Sequence, residues 1–149
     1  MCYTVFFSTT SDEDLSEAGH GLFTPYRTDG HTWEEEAIEL LAHPNRWYLE
    51  CRYGGCSCHF RHIESYIATF GLPGDPLPGG QDEDEDDIES TAAFYDLIKR
   101  LVDEGHDIDV IDVWSDTPNE RVQTMDVSLS EVTRDTFRFF ASHRFMLRP

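Results

Sequence analysis

Lysine is nearly missing from this chain. Lys99 stands alone beside ten arginines and 30 acidic residues, for a formal net charge of −19. A field of that sign repels nucleic acid phosphates and anionic membranes, so nucleic-acid and membrane-surface binding are set aside. It suits a partner with a basic surface, although host composition bias or a salty cytoplasm gives the same charge. Long apolar runs are also missing, and no stretch approaches the roughly 20 residues of a membrane span. The opening Met1–Thr10 lacks both the basic and the apolar regions of a signal peptide,. The expectation is a cytoplasmic protein with reduced cysteines. The chain has no P-loop, dinucleotide fingerprint, nucleophile elbow or His-Glu-x-x-His pattern,. The acidic run Asp82–Asp87 lacks the glycine and spacing of an EF-hand, which favours a solvated linker over a Ca²⁺ or Mg²⁺ site. These absences point away from an enzyme.

What remains is enough for a folded domain. With 149 residues, 39% of them hydrophobic, the chain can bury a continuous core, and no repeat or composition break divides it,. Cys2–Ser8 reads as a buried strand and Ile108–Trp114 as another, rich in branched residues. Val122–Val127 is a weaker strand, and Phe145–Leu147 a terminal edge strand. Helices are expected from the capping box Thr32–Glu35 to Pro44, over Ile63–Phe70, and from about Asp86 to Gly105. Another follows the Ser128–Glu131 capping box through Phe140. The span 72–87, rich in Pro, Gly and acids, reads as an exposed loop. Together these give a single α+β domain over 1–149: a mixed or mostly antiparallel sheet of about four to six strands, with three or four helices mainly on one face.

The densest chemistry lies between Trp47 and His62, which holds three of the four cysteines. Gly54-Gly55 suits a two-residue hairpin turn. That turn would set Cys51 opposite Cys58 and bring Cys51, Cys56 and Cys58 to one side, with Trp47, Leu49, Tyr53, Phe60 and His62. Clustered thiolates are natural zinc ligands, and Cys2, at the start of a strand, is the best fourth donor. Against zinc, Cys-x4-Cys-x-Cys is not a familiar finger spacing, and the cysteine side is also the apolar side. Packed core thiols and redox thiols are the alternatives. Cys2 adds a further one: as an N-terminal residue, its own amine could serve as base to its thiol.

The other side of the hairpin carries Arg46, Arg52, Arg61 and His59, a local reversal of sign that could bind an anion through arginine forks. The competing reading is neutralisation by neighbouring acids, Glu50 among them. Three functions follow. The first is a non-catalytic binding or accessory protein with zinc in its Cys-rich hairpin. The second is an acidic inhibitor of the immunity type that occludes a basic protein. The third is a thiol redox or Cys-nucleophile enzyme.

Overall fold

The computed structural model describes residues 2–28, 35–63, 73, 83–114 and 121–149. Its centre is a six-stranded sheet of β1 (Tyr3–Thr9), β2 (Phe23–Arg27), β3 (Asn45–Cys51), β5 (Ile108–Trp114), β6 (Gln123–Ser128) and β8 (His143–Arg148). The strand order is β2-β3-β1-β5-β8-β6. Every pairing is antiparallel except β6 with β8. A second, two-stranded parallel pair joins β4 (His62–Ile63) to β7 (Phe139–Phe140). Helix α1 (Glu35–Glu39) is short, and α2 (Glu85–Asp103) is long.

The α+β expectation with three or four helices is therefore corrected. Among the described residues the protein is mostly β, with two helices, of which only α2 exceeds two turns. The expected helix after Ser128 is absent. Ser128 Oγ bonds its own loop and the chain end, accepting from Ser130 N and donating to the Pro149 carbonyl. The buried run Phe137, Phe139 and Phe140 then enters the core through turns and β7. The chain's end is not an edge strand either, because β8 lies between β5 and β6. β2 is an edge strand, where Pro25 needs no ladder hydrogen on its open side,. The expected helix over Ile63–Phe70 falls, beyond Ile63, outside the described residues, as do Thr32 and Trp33 of the first capping box.

Period-two alternation sends Val5, Phe7, Trp47, Leu49, Val110 and Phe145 to one face, where they form the main core with α2,. Phe94 of α2 is fully buried between Phe7, Phe23 and Phe139, with ring centroids 5.5–6.0 Å apart. Burial of such a ring is worth about 2–3 kcal/mol. Three acids fill the first turn of α2, where the helix dipole favours them,. Gly105, at φ 92°, ends the helix with His106 N–H on the Leu101 carbonyl and its own N–H on Val102,. On the opposite face Phe6, Ile111 and Val113 pack against Ala37, Ile38 and Leu41 from α1 and its end. No helix among the described residues is long and apolar enough to cross a membrane.

Candidate metal centre

Gly54 and Gly55 take positive φ (81° and 80°) and do reverse the chain, but not into a hairpin. Cys51 N–H bonds the Cys56 carbonyl at 2.8 Å and Gly54 N–H the Cys51 carbonyl at 3.0 Å, which closes a four-residue connection around Arg52–Gly55. No return strand can follow, because both edges of β3 are occupied: β2 on one side and β1 on the other. The expected pairing of Cys51 with Cys58 is thus replaced by Cys51 opposite Phe23 of β2.

Ser57 instead enters between the ends of β1 and β3 and is fully buried. Its N–H donates to the Tyr3 carbonyl at 3.1 Å, its hydroxyl donates to the Leu49 carbonyl, and Val5 N–H donates to that hydroxyl at 2.9 Å. Its carbonyl lies 2.6 Å from His62 Nε2. Every polar group of Ser57 has a partner, so the segment is fixed in position, and the residues on either side of it are brought beside the start of β1.

The consequence is a thiol cluster. The Sγ atoms of Cys2, Cys56 and Cys58 all lie within 4.8 Å of one another, and each residue is part-buried. None of the four cysteines is in a disulfide. Sulfurs bound to one tetrahedral zinc at the usual 2.3 Å stand about 3.8 Å apart, so a small contraction would fit an ion. Backbone donors already point at the sulfurs: Cys58 N–H lies 3.4 Å from Cys56 Sγ, and the Tyr3 amide bonds the Cys58 sulfur. Such N–H···S bonds disperse charge on a thiolate, and they favour its metal-bound form. Without an ion, burial pushes the Cys58 thiol up to about 12 and raises Cys56 as well. The thiols hydrogen-bond one another in that state.

Cys51, expected as a ligand, lies outside this cluster. It is buried in the main core, its sulfur 3.8 Å from the Gly54 carbonyl. His62 is also committed elsewhere. Its Nδ1 faces Asp112 Oδ2 at 2.7 Å, its Nε2 faces Ser57, and its ring stacks on Tyr3 at 3.9 Å.

Three of the four expected anion-binding residues are met by the chain's own acids. Arg52 reaches Asp86 and Glu89 at 3.3 and 3.0 Å, and His59 reaches Asp87 at 3.3 Å. Arg61, 6% exposed, shares Glu83 with Arg138 at 2.5 and 3.0 Å. Arg46 donates to the Leu41 carbonyl at 3.3 Å. The arginine side of the 52–61 segment is thus clamped onto the acidic start of α2, which also steadies Cys56 and Cys58.

Sequence reasoning missed Ser57, Glu83, Arg138 and the Asp112–His62 pair. A signal existed for Asp112: a carboxylate inside a strand of branched residues is buried and needs a partner. Ser57 and Glu83 carried none, since their roles depend on tertiary placement. Comparison with known proteins adds nothing further: no family model, curated protein or solved structure matches the chain.

Proposed function

We propose that the protein is a small, non-catalytic binding or accessory protein whose N-terminal end is pinned by zinc held on Cys2, Cys56 and Cys58. The convergence of three sulfurs within 4.8 Å, with amide hydrogens directed at two of them, carries this reading. Three thiolates supply three of the four soft donors that zinc takes and exclude the hard, oxygen-seeking cations. The ion's contribution would be structural, tying the first residues of β1 to the segment that closes the top of the sheet. A nucleophile reading fits less well. Thiols pushed upward by burial are not thiolates at neutral pH,. Both ring nitrogens of the neighbouring His62 are already engaged, Nδ1 by Asp112 and Nε2 by the Ser57 carbonyl, so neither is free to act as a base.

Elemental analysis of protein purified with zinc present tests the reading. We expect one zinc per chain, lost in Cys2→Ser, Cys56→Ser and Cys58→Ser and retained in Cys51→Ala. Substoichiometric zinc in the wild type, or equal loss from Cys51→Ala, would overturn it.

A further inference from the structure

A cleft of about 460 Å³ lies between the β1–β2 connection and one face of α2. Its volume falls within the roughly 300–1,000 Å³ typical of ligand clefts. Ala18 and Leu22 from the connection and Ala93 and Leu97 from the helix give it an apolar floor. Glu13, Asp14, Glu17 and Asp96 stand on its rim. On α2, Ala93, Asp96, Leu97 and Arg100 follow the three- and four-residue spacing that places side chains on one face.

The walls are built before any ligand arrives. At one end Ser90 Oγ donates to the Leu22 carbonyl at 3.3 Å, and at the other Arg100 grips Glu13 with two nitrogens at 2.9 and 3.0 Å. Between them the connection is a run of turns, with Ala18 N–H on Leu15 and Leu22 N–H on Gly19, both at 2.9 Å. Leu15 is fully buried and anchors it. Gly19 permits its approach to β2, since a Cβ there would meet the Phe23 carbonyl oxygen at 1.8 Å. A pre-formed cleft spends little free energy on ordering itself when it is filled.

The charge at the rim is one-sided. Four carboxylates share the lining with His20 and a single arginine, and that Arg100 is itself shared between Glu13 and Glu104. Asp96 meets Arg134 only at an exposed position, where such pairs are weak,. Glu17 has no ion-pair partner among the described residues. The bidentate Arg100–Glu13 contact shows the kind of group this rim accepts, a guanidinium fork,.

We infer that this cleft docks a basic segment of a partner protein, one that sets arginine or lysine on the Glu17–Asp96 rim and an apolar side chain on the Ala93–Leu97 floor. The apolar floor sets it apart from the rest of the acidic surface, which would attract any cation without choosing among them.

Fluorescence anisotropy with a short fluorescein-labelled peptide alternating arginine and leucine tests this, in low and high salt. Binding to the wild type should weaken about tenfold in the Glu17→Gln/Asp96→Asn double variant and also in Ala93→Gln, which fills the floor. The equally neutralised control Asp103→Asn/Asp126→Asn, at exposed sites outside the cleft, should bind like the wild type. Equal weakening in the control would overturn the assignment, as would undiminished binding of an all-arginine peptide or equal competition by spermidine. Amide shift mapping on the wild type gives a second readout independent of the variants: perturbation at 13–22 and 93–100 supports the site, and perturbation elsewhere refutes it.

Discussion

Val5 donates its backbone N–H to the side chain of Ser57 at 2.9 Å, so a serine 52 positions away stands in for a strand at the end of β1. The same hydroxyl donates to the Leu49 carbonyl on the facing strand. Ser57→Ala would leave a buried donor and a buried acceptor unmet, each costing about 1–3 kcal/mol. We expect a loss near 3 kcal/mol in urea denaturation, with weaker zinc retention because the neighbours of Ser57 are the proposed ligands. An unchanged midpoint would mean that the hydroxyl is incidental.

The thiols give a kinetic prediction. With zinc removed and the circular dichroism spectrum intact, Cys56 and Cys58 should be protonated at neutral pH, since burial raises both and carries Cys58 to about 12. Iodoacetamide attacks thiolates, so modification of these two cysteines should be about tenfold or more slower than that of glutathione. Fast modification at pH 7 would mean a stabilised thiolate and would return the nucleophile reading to contention.

β1, β5, β6 and α2 were legible in the sequence because their signals are local. Ile108–Trp114 and the Gly105 stop depend only on neighbouring residues. The failures share a cause: each element was decided by a remote competitor. The Gly54-Gly55 turn formed, yet β1 occupied the place its return strand needed. Ser128 offered a helix cap, but its hydroxyl met Ser130 and Pro149 instead, and the phenylalanines after it were worth more buried against Tyr95 and Phe145 than on a helix. For the thiols, spacing identified which residues were chemically capable but could not choose among them. That choice came from Ser57, whose partners on β1 and β3 are remote in sequence.

Glu83 gives the acid side of the stability profile. Burial works to raise its pKa, but hydrogen bonds from Arg61 and Arg138 outweigh this and hold the carboxyl below its ordinary value of 4.5. A lowered native value means that the stabilisation is present above 4.5 and is lost as pH falls through the native value,. Glu83→Gln removes the charge and leaves two nearly buried guanidinium groups without it. The variant should be about 3 kcal/mol less stable at neutral pH, the low end for a broken buried pair. The two proteins should converge as acid protonates Glu83 in the wild type. A constant difference across the acid range would assign the loss to packing.

Asp112 has the opposite sign. A carbonyl only accepts, so the 2.6 Å contact with Ser57 requires a hydrogen on His62 Nε2,. The 2.7 Å contact on the other side then holds one proton, as imidazolium with carboxylate or as imidazole with carboxylic acid. Burial raises the Asp112 pKa above 3.8, His62 and His143 opposing it, and Oδ1 is buried with no partner among the described residues. Between 3.8 and the raised value the folded state keeps a proton that the unfolded chain has released, so this group's contribution to stability falls as pH rises through that window,. Asp112→Asn can donate its amide hydrogen to a neutral Nδ1 and has nothing to titrate. Relative to wild type it should therefore gain stability as pH rises through that window, because only the wild type has a proton to release there,. Urea midpoints for both proteins from pH 4 to neutrality measure this. A variant that instead loses ground as pH rises would mean that the pair is a net-stabilising ion pair, with the proton on His62.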